Sequence, residues 1–169
     1  KAMDARLSSE SIDVTLPGRD PGIGKLHPLT QVLTEIEEIF LGMGFDIAEG
    51  PEVEYDKYCF EMLNMPKGHP ARDTQDTFYI NENVLLRTHT SPLEVRALKT
   101  LKPPFRLVMP GRVFRVDSDA SHSPVFMQIE GFVVDRNLNI ANLKGTLDTF
   151  IRAVFGDDVK TRLRPSYFP

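Results

Sequence analysis

The sequence predicts an α+β domain with a mostly antiparallel sheet flanked by helices. Three observations carry that expectation. Stretches 29–43 and 140–154 place apolar residues at three- and four-residue spacing, as an amphipathic helix does. Val125 to Val134 alternates around Phe126, Gln128 and Glu130, as a half-buried strand does. Helices and strands also follow one another irregularly, with at least one long hairpin, which argues against a doubly wound parallel sheet. With 169 residues there is length for one domain and a sizeable core.

Composition bounds the class. Hydrophobic residues make up 41% and charged residues 26%, so wholesale disorder is excluded. No apolar run approaches the roughly 18 residues of a membrane span. A single cysteine, Cys59, excludes an internal disulfide framework and points to a reducing, cytoplasmic setting. The polar opening KAMDARLSSE has no signal-peptide apolar block and reads as the tail of a helix. The closing RLRPSYFP breaks off inside an apolar-aromatic stretch, so a piece of a longer chain is expected. We divide it into a connecting segment, 1–27, and a domain, 28–169.

The net charge of −4 is unevenly spread. Between Glu35 and Glu61 stand nine acids and one base, Lys57, whereas Val95 to Arg115 holds six bases and no acid. A basic window in an acidic chain suits a local phosphate-bearing ligand. On charge alone, a solvated helix face followed by strand-edge charges is the plainer explanation.

Taken in order, Leu29, Val32, Leu33, Ile36, Ile39, Phe40 and Met43 make the first helix, ended by Gly42 and Gly44. Phe45, Ile47 and Ala48 form a short strand stopped at Gly50-Pro51. Val53 to Leu63 reads as a short helix, and Asn64 to Asp76 as a loop. Phe78–Ile80 and Val84–Leu86 flank Asn81-Glu82-Asn83 as a hairpin. Ser91-Pro92-Leu93-Glu94 has the makings of a capping box at the start of a helix running to about Leu101. Phe105–Met109 and Arg112–Val116 read as strand, Asp117–Pro124 as a polar loop, and Val125–Val134 as the return strand. The second amphipathic helix ends at Gly156, and Val159–Leu163 reads as a terminal strand.

No Gly-x-Gly-x-x-Gly and no Gly-Lys-Ser/Thr loop occurs, and the four histidines lack helical metal-site spacing. Three polar clusters remain. The first is Gly68-His69-Pro70-Ala71-Arg72-Asp73, continuing to Asp76-Thr77-Phe78; prolines and Asx turns alone would explain it. The second is Arg87-Thr88-His89-Thr90-Ser91, at a strand-to-helix junction where backbone N–H groups favour a negative ligand. Capping would explain Ser91 but not His89 or Thr90. The third gathers Arg112, Arg115, Asp117, Asp119 and His122 with Phe126, Gln128 and Glu130 on one hairpin. Phe126, Gln128 and Glu130 share a face by strand alternation. A sheet with one solvated face is the alternative, but carboxylates and guanidinium groups gathered on one face need partners, so this cluster points to a ligand site.

These segments in this order resemble the α subunits of bacterial-type phenylalanine–tRNA ligase, a class II aminoacyl-tRNA synthetase family. The matching runs are Gly68 to Phe78, Leu86-Arg-Thr-His-Thr-Ser-Pro92, and Gly111-Arg-Val-Phe-Arg-Val-Asp117 through Gln128-Ile-Glu-Gly131, within a likeness extending from about Asp13 to Pro169. The resemblance implies an antiparallel catalytic sheet flanked by helices. Helix 29–43 and the strand ending at Pro51 look like motif 1, the dimer-forming element. Strand–loop–strand 112–131 looks like motif 2, with Asp117 where Glu is usual.

It further implies activation of phenylalanine by ATP to phenylalanyl-adenylate and transfer to tRNA. By the same resemblance Arg115 meets the α-phosphate and the substrate carboxylate, His122 the ATP phosphates, and Asp117 the adenine amino group. Phe126 stacks on adenine, Gln128 and Glu130 hold the substrate ammonium, and His89 and Ser91 fix the polar end of the amino acid. Motif 3 and the carboxylate for Mg2+ are expected beyond Pro169, a tRNA-contacting coiled coil before Lys1, and a β subunit completes an α2β2 assembly. The chain alone is then expected to be inactive or nearly so. Two other readings stay open: a non-catalytic synthetase-like binding or regulatory module, and a metal-dependent phosphohydrolase using His69, Asp73, Asp76 and His89.

Overall fold

The computed structural model describes residues 3–5, 13, 15–18, 20, 22–73, 77–117 and 120–167. Along the domain the elements are α1 (Pro28–Gly42), β1 (Asp46–Ile47), β2 (Val53–Tyr55), α2 (Asp56–Cys59), a 3-10 turn (Glu61–Leu63) and α3 (Pro70–Asp73). There follow β3 (Tyr79–Asn81), β4 (Val84–Leu86), α4 (Pro92–Thr100), β5 (Phe105–Phe114), β6 (Val125–Val134) and α5 (Ile140–Phe155).

Local chemistry accounts for the long helices. His27 caps α1, its Nδ1 accepting from the Leu29 N–H at 3.2 Å, and Pro28 follows where a missing N–H costs nothing. Gly44, at φ +82°, turns the chain out of α1 towards β1. At α5, Asn139 and Asn142 cap each other reciprocally, an uncharged capping box.

The strands form two three-stranded sheets rather than the single sheet expected. One runs β1-β5-β6, with β1 parallel to β5 and β5 antiparallel to β6 through ten pairs, Phe105↔Val134 to Phe114↔Val125. The other runs β2-β4-β3 and is wholly antiparallel. The β1-β5-β6 sheet is covered on both faces. On one, Val108 meets Phe40 and Phe45, backed by Ile129, Val133 and Phe150; Phe40 stacks on Phe150 at 4.7 Å. On the other, Leu107 and Met109 meet Leu93 and Ala97 of α4. Cys59, Phe60 and Leu85 form a third cluster beneath the smaller sheet.

Arg87 joins the sheets. Its backbone N–H donates to the Glu52 carbonyl and its carbonyl accepts from the Phe114 N–H, both at 2.9 Å. Its buried guanidinium donates through Nε to the Arg112 carbonyl at 2.8 Å and through Nη1 to the Gly50 carbonyl at 3.2 Å. Only a residue without a side chain fits beneath it: a Cβ at Gly111 would lie 2.0 Å from Arg87 Nη2.

Four expectations need correction. The 53–63 helix is instead a strand, one helical turn and a 3-10 turn, because Val53 and Tyr55 face outward around buried Glu54, a period of two. The 64–76 loop contains α3. Val159–Leu163 is not a strand: it pairs with no described strand edge, and Thr161 is tied instead to Asp148 at 2.5 Å. The 105–116 strand is continuous but stops at Phe114, so Arg115 lies just past it, its N–H still reaching the Pro124 carbonyl at 3.0 Å. No helix among the described residues is long and apolar enough to cross a membrane.

The acidic block and the basic window meet. Glu54 and Arg96 form a two-pronged pair at 2.8 and 3.0 Å, with the Glu54 side chain 1% exposed. Glu52 and Arg112 form a similar fork at 2.8 and 3.2 Å, but with Arg112 60% exposed. Stripping one partner from a buried pair strands a charge, whereas a surface pair is screened by water. We therefore expect Arg96→Ala to lower stability in urea by about 3 kcal/mol and Arg112→Ala by under about 1 kcal/mol. Cys59 supplies a second check. Burial, above all, pushes its thiol up to about 11, opposed by contacts with Thr88. At pH 8 the native thiol stays protonated, so iodoacetamide should label Cys59 only once urea has unfolded the chain; rapid native labelling would contradict this burial.

Candidate active site

The face of β5-β6 that meets α4 is apolar at one end and polar at the other. Along β6, Phe126, Gln128 and Glu130 project to this face, opposite Val113, Gly111 and Met109 of β5. The segment 87–91, between β4 and α4, lies against the polar end. Thr88, His89 and Thr90 are buried there, and Ser91 is half-buried.

Glu130 organises the cluster. Its Oε1 accepts from the Thr90 N–H at 3.0 Å and its Oε2 from the Ser91 hydroxyl at 2.6 Å. Ser91 therefore does not cap α4 with its side chain, contrary to expectation: it sits in helical backbone geometry with its hydroxyl committed to Glu130. Glu94, expected to complete the capping box, is instead half-buried near Glu130; burial raises its carboxyl, and the Glu130 charge raises it further. Sequence reasoning missed this carboxylate pair because the spacing Ser91-x-x-Glu94 spells a capping box.

His89 is held in the same cluster. Its Nε2 lies 3.9 Å from Cys59 Sγ, and its ring meets Phe60 edge-on, centroids 6.1 Å apart at 82°. Burial pushes its pKa below the ordinary histidine value; Glu130 opposes this shift and Arg115 adds to it. A neutral imidazole is the result near neutral pH. Arg115 donates through Nε to the Thr88 carbonyl at 3.2 Å and lies over the Phe126 ring at 5.1 Å. Among the described residues, three buried side-chain polar atoms have no hydrogen-bond partner: His89 Nδ1, Thr90 Oγ1 and Gln128 Oε1. Native interiors rarely leave such atoms unsatisfied, so three in one neighbourhood make this face a candidate for a polar ligand.

The structure thus brings together His89, Ser91, Arg115, Phe126, Gln128 and Glu130. Asp117 and His122 stand exposed on the loop joining β5 to β6, outside this buried cluster. Arg112 does not join it: strand alternation turns it to the opposite face, where it pairs with Glu52. Asp119, Asp76 and the Asp73 side chain lie outside the described residues. Among the described residues no group of three His, Cys, Asp or Glu side chains converges to hold a metal ion.

Chemically, carboxylate and amide oxygens suit a cation such as a primary ammonium. A guanidinium over an aromatic ring suits an anion attached to a flat group. A cavity of about 670 Å³ opens elsewhere, between the other face of the sheet and α5, with walls that include Phe45, Ile129, Leu143 and Phe150. None of the eight predicted site residues lines it.

Comparison with known proteins gives the family. Residues 11–169 match the tRNA synthetases class II core domain (F). The phenylalanine–tRNA ligase alpha subunit of Desulforamulus reducens is 63% identical over 165 residues, 96% of this chain and 48% of that protein. The corresponding subunit of Heliobacterium modesticaldum is 60% identical, over 98% and 49%. The chain thus spans about half the length of these relatives. Among solved structures, a pyrrolysyl tRNA synthetase of Desulfitobacterium hafniense superposes with a TM-score of 0.61 at 17% identity, over 75% of this chain and 46% of that one; this is likeness of fold alone. With the match running from residue 11 to the last residue, the chain belongs to the class II tRNA synthetase core-domain family.

Proposed function

We propose that this chain is the catalytic portion of a phenylalanine–tRNA ligase α subunit, joining phenylalanine to ATP and passing the phenylalanyl group to tRNA. The observation that carries the reading is Glu130, a carboxylate held by Thr90 and Ser91 beside two unpartnered polar atoms, Gln128 Oε1 and His89 Nδ1. A carboxylate has about four acceptor sites, so two protein donors leave room for a substrate ammonium. The naming of relatives at 60% identity and above as phenylalanine–tRNA ligase alpha subunits supports the choice of amino acid.

In this reading a carboxylate oxygen of phenylalanine attacks the α-phosphorus of ATP and pyrophosphate leaves with the broken P–O bond's electrons. No covalent enzyme intermediate is needed, so the residues act by positioning and by charge. Gln128 and Glu130 hold the ammonium, while His89 and Ser91 fix the polar end of the amino acid. The Arg115 guanidinium faces the charge that gathers between carboxylate and α-phosphate. It covers one side of the Phe126 ring, and the ring's second side is assigned to adenine. Asp117 is assigned to the adenine amino group and His122 to the outer phosphates. Magnesium accompanies ATP in this family, and among the described residues no cluster of His, Cys, Asp or Glu side chains converges to hold it.

The same reading takes 1–27 as a connector and 28–169 as the part carrying motifs 1 and 2. It also takes a β subunit in an α2β2 assembly as the working partner, in the cytoplasm. Phenylalanine-dependent ATP–pyrophosphate exchange by the complete α subunit with its β partner tests it. Glu130→Gln removes the charge opposite the ammonium and should raise KM for phenylalanine about 100-fold, leaving KM for ATP within about twofold. An unchanged KM for phenylalanine would overturn the assignment.

A further inference from the structure

The run Gly68-His69-Pro70-Ala71-Arg72-Asp73 has no role in the function assigned above, yet its arginine is largely withdrawn from solvent. The Arg72 side chain is only 10% exposed and ion-pairs with Asp56, which also accepts from the Tyr79 hydroxyl at 3.0 Å. Arg72 Nη1 donates to the Met65 carbonyl at 3.3 Å. Held from these sides, the guanidinium lies over the Phe60 ring, 4.8 Å from its centroid. Phe60 is fully buried, and the His89 ring meets it edge-on. Next to Phe60, Cys59 stands against the Nε2 side of His89. The imidazole is therefore constrained at one nitrogen and by the neighbouring ring, and its other nitrogen, Nδ1, is the buried atom without a partner.

We propose that Arg72 is a positioning residue for the amino-acid site: acting through Phe60, it sets the plane of the His89 imidazole and thereby the direction in which Nδ1 meets the substrate. This rests on the function proposed above. The geometry makes a chain of three contacts, guanidinium on ring, ring on imidazole, imidazole towards ligand. Each is short-range and direction-dependent, so a displaced guanidinium tilts the last member. An arginine that merely tied α3 to α2 would affect folding without distinguishing one substrate from another.

The test measures exchange kinetics of the complete α subunit with its β partner, alongside the melting temperature. Arg72→Gln should raise KM for phenylalanine about tenfold and leave KM for ATP within about twofold, with Arg72→Lys recovering part of the loss. Phe60→Leu should give the same selective effect. The double variant should be no worse than the more damaging single, because both changes break one chain of contacts. Equal increases in both KM values, no increase in either, or multiplied effects in the double variant would overturn the proposal. If Arg72→Gln does not fold, Phe60→Leu decides, an unaltered KM for phenylalanine being the adverse result. Wild-type protein without phenylalanine-dependent exchange would sink the functional reading and this proposal with it; active wild type with normal Arg72→Gln kinetics would sink this proposal alone.

Discussion

A buried guanidinium is the constraint on which the domain turns. Arg87 stands between two sheets that share no strand, and it fastens them with main-chain and side-chain hydrogen bonds. A charge taken out of water is costly unless its hydrogen bonds are met. Here backbone carbonyls meet them, and Glu52, Glu54 and Glu130 face it with opposite charge. The four residues that follow are Thr88, His89, Thr90 and Ser91. Their alignment against Glu130 depends on where Arg87 is fixed, so the bond that assembles the fold also aims the site. Gly111 is the accommodation that permits it.

The charge pattern of the sequence has a related explanation. Two of the nine acids between Glu35 and Glu61 pair across the fold with two of the six bases between Val95 and Arg115. Arg96 answers Glu54 and Arg112 answers Glu52. What reaches the polar face is a reduced set, with Arg115 and Glu130 lying on opposite sides of the Gln128 position. Two of the window's six bases are thus committed to acids, and a net charge of −4 is compatible with handling a phosphate-bearing ligand at one point.

Much of this was readable from residue order. The long helices and the β5-β6 hairpin announce themselves because periods of 3.6 and 2 persist over ten residues or more. The grouping of Phe126, Gln128 and Glu130 followed from alternation alone. The failures are equally local. Three-residue strands such as Val53–Tyr55 are too short to display a period, and pairing rather than pattern decides them. Ser91 and Glu94 satisfied a local rule, but a tertiary contact with Glu130, 39 residues away, prevailed. Arg112 and Arg115 looked equivalent in sequence, yet three residues along extended chain reverses the face. Arg72 was legible only as a polar loop residue, since its partners at Asp56 and Phe60 come from a different segment.

The stacked arrangement of Arg115 on Phe126 has a consequence for ligand capture. A free arginine side chain loses roughly 2 kcal/mol of rotamer entropy when immobilised. The Thr88 carbonyl at 3.2 Å and the aromatic ring at 5.1 Å already hold this one in a single orientation before anything arrives. That part of the ordering is charged to folding rather than to association, and an anion arriving here would meet a preset fork. Ring and fork also travel as a unit, so a molecule bearing both a flat base and a nearby negative group gains from both at a single seating.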